Sequence, residues 1–302
     1  MTLIWEAMMG ANSQIEWTHH TFNPVTGCQK VGPGCDNCYA EGWAKRSGLV
    51  KWGAGEARRP TSESYWRQPL KWDREAAAAG ERRRVFCASL ADVFDNAWPD
   101  GIRARLWDLI KATPNLDWML LTKRPGNIGN MLPVPFDFER HYPNVWLGCT
   151  VVNQAEADRD IPKLLAMSAT VRFLSMEPLL GPVVLRSEWL AALDLVIVGG
   201  ESGPRARPMH PDWPLSLRDQ CVTAGVAFHF KQWGEWAPSS PEEAAGNPRS
   251  GWRCLKGHPH VPAQAELYPE AGAAFIEHKG KKVAGRLLEG RVWDQMPGEQ
   301  SR

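Results

Sequence analysis

Short apolar runs recur along the middle of the chain, each closing on polar residues and leading into a stretch with helical spacing. The runs Val85–Leu90, Trp118–Thr122, Val145–Val151, Val171–Met176, Leu195–Gly199 and Val226–Lys231 predict strands, and Ile15–Phe22 predicts one ahead of them. Between them, Ile102–Ala112 puts Ile102, Leu106, Leu109 and Ile110 on one helical face, and Gln154–Met167 groups Ile161, Leu164 and Leu165. Ser187–Leu193 and Asp212–Ala224 predict later crossover helices. Strands alternating with helices imply a parallel sheet joined by right-handed crossovers. The strand runs are almost wholly apolar, the pattern of a sheet buried on both faces. The predicted class is α/β, a (β/α) barrel or partial TIM-like barrel, with a doubly wound sheet as the alternative.

Two stretches break this rhythm. Residues 39–84 form a long insertion after the first strand, rich in Trp, Arg and Gly. Beyond Gln232 the pattern gives way to Pro, Gly and Ser, which predicts an irregular C-terminal extension. The glycines between Lys279 and Arg291 suggest turns or a hairpin covering the barrel. The expected organisation is therefore a barrel-like domain over 1–234, carrying the insertion 39–84, with residues 235–302 packing on it. No repeat at a solenoid period is present.

Composition narrows the class without choosing a function. Hydrophobic residues make up 43% and charged residues 23%, enough apolar material for a full core. The net charge of +1 gives no global attraction to nucleic acid or membrane, so an anion-binding surface needs local clustering. No apolar run has the length of a membrane span, and Met1–Gly10 lacks the features of a signal peptide. A cytoplasmic location is expected, where seven cysteines point to metal ligands or isolated thiols rather than disulfides.

Three of those cysteines stand together as C-x6-C-x2-C: Cys28, Cys35 and Cys38. Gly27 precedes the first, and Gly32-Pro33-Gly34 shapes the loop before the second. Cys35 and Cys38 have the same-face spacing of a helix start. A structural zinc site takes four protein ligands and an iron–sulfur cluster commonly four thiolates, so three cysteines leave one metal position open. The alternative is a zinc staple with His19, His20 or Cys87 as fourth ligand. Cys149, Cys221 and Cys254 read as small buried residues.

Sites in parallel α/β folds lie at the carboxyl ends of the strands. Those ends carry Asn23, Ser89 and Asp92, Lys123 and Arg124, Thr150 and Asn153, Glu177, Gly199-Gly200-Glu201, and Lys231. A shared polar mouth explains the recurrence. Asn23, Ser89, Asp92, Lys123, Arg124, Thr150, Asn153, Glu177, Gly199, Gly200 and Glu201 are its candidate cofactor contacts. Glu177, Glu201 and Lys231 are candidates for proton transfer, and a salt bridge to a neighbouring cation is the alternative for each glutamate. Lys123, Arg124, Arg205, Arg207 and Lys231 would suit a carboxylate, a phosphate or a nucleic-acid backbone. In the insertion, Trp43, Trp52, Trp66, Trp72, Arg58 and Arg59 could stack on and neutralise a nucleic-acid substrate.

Three cysteines after the first strand of a (β/α) barrel resemble the radical S-adenosylmethionine (SAM) superfamily. More closely, the chain resembles the phage-encoded and bacterial three-cysteine-motif proteins. The matching segments are Phe22–Cys28, Cys38-Tyr39-Ala40, Trp118–Pro125, Asn144–Asn153, Phe173–Gly181, Val196–Gly203 and Phe230–Gly234, with the Lys281–Gly290 tail. The resemblance implies a 4Fe–4S cluster on Cys28, Cys35 and Cys38, with SAM bound at the open iron. It implies reductive cleavage of SAM, hydrogen abstraction from a substrate such as a nucleic-acid base or nucleotide, and an electron donor such as flavodoxin or ferredoxin. The chain departs from the superfamily in its first cysteine gap, six residues instead of three, and in Asn37, where an aromatic residue usually stands. The superfamily's Gly-Gly-Glu after the second strand is also missing there; the chain has that triplet at 199–201. The alternative function is a zinc-stapled nucleic-acid-binding or accessory protein.

Overall fold

The structure, a computed structural model, describes residues 13–134, 136–240, 252–255 and 274–298. Seven strands form one sheet in strict chain order. They are β1 (His20–Thr21), β4 (Arg83–Cys87), β5 (Leu116–Thr122), β6 (Val145–Thr150), β7 (Val171–Met176), β8 (Leu195–Gly199) and β9 (Ala227–Gln232). The registers β1–β4, β4–β5, β5–β6 and β8–β9 are parallel. A doubly wound sheet reverses its strand order at a switch point. This order never reverses, so the sheet is a curled half-barrel, the partial form of the predicted (β/α) architecture. Helices α4 (Ile102–Lys111), α7 (Gln154–Leu165), α8 (Ser187–Leu190) and α9 (Asp212–Ala224) lie between the strands, where the periodicity predicts them.

The first two strands differ from expectation. β1 is only two residues long because the hydroxyl of Thr18 takes over the ladder. It donates to the carbonyls of His20 and Arg84 and accepts from the Phe86 amide. β4 begins at Arg83, paired to Leu116, and stops at Cys87. Beyond it, the Leu90 amide donates to Asn23 Oδ1 at 2.6 Å and the Leu90 carbonyl accepts from Gly27 N. Side-chain bonds of this kind compete directly with sheet pairing.

The insertion is regular structure: α1 (Tyr39–Ser47), β3 (Arg59–Pro60), α2 (Glu63–Trp66) and α3 (Gln68–Ala79). Its tryptophans explain why it folds. Trp43, Trp66 and Trp72 are buried, and Trp72 stacks on the His20 ring at 4.4 Å. Phe22 stacks on Tyr65 at 5.1 Å and meets Trp66 and Trp118 edge-on. Each large aromatic buried this way contributes about 2–3 kcal/mol.

The described residues divide into two compact units: residues up to Thr150 with Pro162–Phe173, and Val151–Ile161 with Leu174 onward. In the second unit, β10 (Trp236–Pro238), β11 (Trp252–Leu255) and β12 (Ala274–His278) form a small antiparallel sheet in the order β10–β12–β11. The helix α10 (Lys281–Ala284) follows β12. The last described segment lies along β9: His229 bridges to Asp294 and Phe230 N donates to the Trp293 carbonyl at 2.8 Å. Within the expected stretch Leu288 and Arg291 exchange backbone hydrogen bonds across a tight turn, and the residues after it cover the edge of β9. Most of 241–273, including the Cys254 side chain, lies outside the described residues. Among those described, no helix is long and apolar enough to cross a membrane.

Candidate cysteine-loop site

After β1 the chain forms β2 (Val25–Thr26), paired antiparallel with Arg59–Pro60 of the insertion. Gly27 then turns the chain at φ +108°. A Cβ there would lie 2.9 Å from Val50 Cγ2 and 3.3 Å from Arg58 Cδ, so both conformation and space require glycine. Cys28 is half-buried, Cys35 buried and Cys38 half-buried, and all three are free thiols. The structure corrects their local setting. Cys35 ends a 3-10 turn, Pro33–Cys35, whereas Cys38 is the N-cap of α1 with ψ 121°, so they do not share a helical face. Tyr39 Oη donates to the Ser89 carbonyl at 2.7 Å, which fixes the start of α1 against the chain beyond β4.

A buried charge network supports Cys28. Asp92 accepts from Thr122 Oγ1 at 2.7 Å, Arg124 Nη1 at 2.8 Å, Lys123 N at 3.0 Å and Phe94 N at 3.0 Å. Arg124 turns the rest of its guanidinium to the loop, with Nη1 and Nη2 each 3.5 Å from Cys28 Sγ and Nη2 3.1 Å from the Gln29 carbonyl. Behind it, Asp95 pairs with fully buried Arg58 at 2.7 Å. Burial pushes the Cys28 thiol up to about 11; Arg124 opposes the rise, while Asp92 and Asp95 add to it. Burial also works against the charge on Arg124, but Asp92, Cys28 and Asp95 outweigh it and raise its pKa.

The other candidates of this unit are largely occupied. Asn23 is fully buried; its Nδ2 donates to Ser89 Oγ at 3.0 Å and its Oδ1 accepts from Leu90 N. Lys123 Nζ donates to Thr150 Oγ1 at 3.2 Å. Of the four tryptophans in the expected stacking platform, Trp52 alone is half-buried rather than buried. Trp43, Trp66 and Trp72 are core residues, and Arg58 is spent on Asp95 and the carbonyls of Gly53 and Glu56. Arg59 is exposed but donates to the Leu49 carbonyl.

The second unit holds a cluster of its own. Lys231 Nζ lies 3.1 Å from Glu177 Oε1. Arg207 gives Nε and Nη2 to Glu201 at 2.9 and 2.6 Å, so both glutamates have the cationic partner that was their alternative reading. Gly199 and Gly200 are demanded by packing. A Cβ on Gly199 would sit 2.6 Å from Glu177 Oε1, and one on Gly200 1.8 Å from the Trp233 carbonyl. Asn153 Oδ1 accepts from Glu156 N in the first turn of α7. The strand-end reading also covers Gln232, which ends β9, but periodicity gave no sign of Asp95 or of Thr122 as a network residue. Only the spacing of Asp92 and Asp95 beyond a strand, opposite Lys123-Arg124 beyond the next, carries a signal.

Among the described residues, no three His, Cys, Asp or Glu side chains form a set that could hold a metal ion. Neither a zinc set from the three cysteines with His19, His20 or Cys87 nor any other ion site is preformed among these residues. His20 is stacked on Trp72, and burial, His19 and Arg83 push its pKa down to about 4. Cys87 is fully buried in β4. An iron–sulfur cluster takes cysteine thiolates as its ligands. The donor chemistry fits it: three unbridged thiols on one loop, with a guanidinium beside one sulfur.

No curated protein matches the sequence. Among solved structures, a spore photoproduct lyase double mutant with bound AdoMet and dinucleoside spore photoproduct is similar at 12% identity and TM-score 0.42, over 84% of this chain and 71% of that one. Spore photoproduct lyase complexed with dinucleoside spore photoproduct is similar at 11% identity and TM-score 0.40, over 86% and 75%. The sequence model of one family matches residues 12–297, nearly the whole chain, and the chain thus belongs to the family described as "Protein of unknown function (DUF5131)".

Proposed function

We propose that this protein is a radical-SAM-like iron–sulfur enzyme in which Cys28, Cys35 and Cys38 hold a 4Fe–4S cluster. The observation that carries this reading is the loop itself: three free thiols within eleven residues, shaped by Gly27 and faced by the Arg124 guanidinium. When bound, the cluster and SAM supply reductive cleavage and hydrogen abstraction, chemistry that belongs to the cofactor. The chain's own residues bind and orient. Three thiolates are the ligands. Arg124, held by Asp92, places a fixed positive charge beside Cys28 and stabilises a metal-bound sulfur against its burial. Asn23, Ser89 and Tyr39 hold the loop to the end of β4. In the second unit, the Glu177 and Glu201 carboxylates, paired with Lys231 and Arg207, are able to accept from a ligand's amino group.

The substrate in this reading is a nucleic-acid base or nucleotide, as the phage-encoded family resemblance implies. Its support is the set of cations at strand ends, Lys123 and exposed Arg205 among them, in place of the buried tryptophans. Flavodoxin or ferredoxin would supply the electron, in the cytoplasm. The test is oxygen-free purification, followed by iron, sulfide and zinc assays and an EPR spectrum of the reduced protein with and without SAM. Iron with sulfide and a reduced-cluster signal that SAM perturbs is the expected result. Stoichiometric zinc without sulfide, or a cluster that leaves SAM uncleaved under strong reductant, overturns the proposal.

A further inference from the structure

Three arginines of this chain show what a guanidinium does with its Nε–Nη2 edge. Arg82 gives both nitrogens to Asp117 at 2.9 and 2.6 Å, and Arg207 gives both to Glu201 at 2.9 and 2.6 Å. Arg159 gives both to Asp160 Oδ2 at 3.1 and 2.5 Å. Arg286 breaks the pattern. Its Nε and Nη2 are shut off from solvent and have no hydrogen-bond partner among the described residues.

The backbone around Arg286 is firmly placed. Trp233 N donates to the Gly285 carbonyl at 3.1 Å, and Trp233 Nε1 donates to the Leu287 carbonyl at 2.9 Å. Both neighbours of Arg286 are therefore clamped to Trp233, one residue past the end of β9. The residue before Trp233 is Gln232, whose Nε2 is used by the Gly200 carbonyl and Ser202 Oγ, at 3.2 and 2.7 Å. Its Oε1 is buried with no donor among the described residues. The unmatched acceptor precedes in the chain the tryptophan to which both neighbours of Arg286 are bonded.

Arg286 as a whole is half-buried, but these two N–H donors are out of water with no acceptor, and a buried donor normally has an acceptor supplied to it. The Nε–Nη2 edge is the one that matches two oxygens of a carboxylate or phosphate side by side. Exposed Lys281 and Lys282, in the helix just before, add positive potential without filling that edge. We infer that Arg286 anchors an oxyanion-binding site beside Trp233 at the end of β9. It takes the phosphate or carboxylate group of a small ligand. This site is independent of the cysteine loop, so its test needs no cluster and its failure leaves the cluster proposal standing.

The experiment is thermal unfolding of the full chain and of Arg286→Gln, titrated with inorganic phosphate or with acetate against sodium chloride of equal ionic strength. Phosphate stabilises proteins generally by exclusion from their surface, so the difference between the two chains reads the site. In the unsubstituted chain one of the two anions raises Tm, by about 5 °C at roughly a hundredfold above Kd. A selective rise with phosphate marks a phosphorylated ligand; one with acetate marks a carboxylate. Arg286→Gln loses the rise and, without anion, is at least as stable as the parent, because two unmatched buried donors have been removed. Equal anion responses in both chains, or a destabilised Arg286→Gln with no anion-dependent rise in the parent, would overturn the inference. Either result would mean that the guanidinium is satisfied within the chain.

Discussion

At the scale of single residues, the strongest local commitment is the charge network under the cysteine loop. Arg124 and Asp92 are both largely buried, so removing one partner leaves the other uncompensated. Arg124→Met should cost about 3–5 kcal/mol, read from urea denaturation of the cluster-free chain. The double variant with Asp92→Asn should cost much less than the sum of the two single changes. His20 gives a pH signature. Its ring is buried on Trp72 and its pKa falls from 6.5 to about 4, so the unfolded chain binds the proton more readily. Stability is therefore full above pH 6.5 and falls as pH drops from 6.5 toward 4. Urea midpoints at pH 7 and pH 5 should differ in the parent and converge in His20→Phe; equal midpoints in the parent would refute the assignment. Beyond the spacing of Asp92 and Arg124 past successive strands, these pairings are not legible in sequence, because residues 32 apart meet only once two neighbouring strands are in register.

At the scale of elements, glycines mark where segments touch. Gly27 places the cysteine loop with a positive φ and no room for a Cβ. Gly27→Ala should lose about 1–3 kcal/mol and part of its bound iron, whereas Gly55→Ala, at φ +74° but with open space around it, should lose stability yet keep its iron. Iron content per chain separates the two. Gly200 lets the end of β8 pass the Trp233 carbonyl, and Gly200→Ala should destabilise by about 3 kcal/mol through strand displacement. Sequence periodicity located β5 to β9 and the crossover helices because their apolar faces repeat. It misplaced the first two strands because Thr18 and Asn23 replace ladder bonds with side-chain ones, and a hydropathy pattern does not contain that substitution.

At the scale of the molecule, an open parallel sheet leaves edges that must be managed. The segment around Trp293–Gln295 covers β9, with Phe230 N on the Trp293 carbonyl and Phe228 N on Gln295 Oε1. A chain ending at Arg291 should expose that edge and self-associate, visible as a concentration-dependent shift in size-exclusion chromatography; a monodisperse truncation would argue against the cover. By itself the sequence determined the alternation of strand and helix, the parallel sheet and the three-cysteine loop after its first strand, while the strand order excluded the doubly wound alternative. These are local facts of period and spacing, and the chain carries them wherever it folds. Tertiary structure alone decided that Trp43, Trp66 and Trp72 are core and that Arg58 belongs to Asp95. It alone paired Glu201 with Arg207 and left Arg286 with an unfilled edge. Those outcomes depend on which distant side chains meet out of water, and burial and partner are properties of the packed chain.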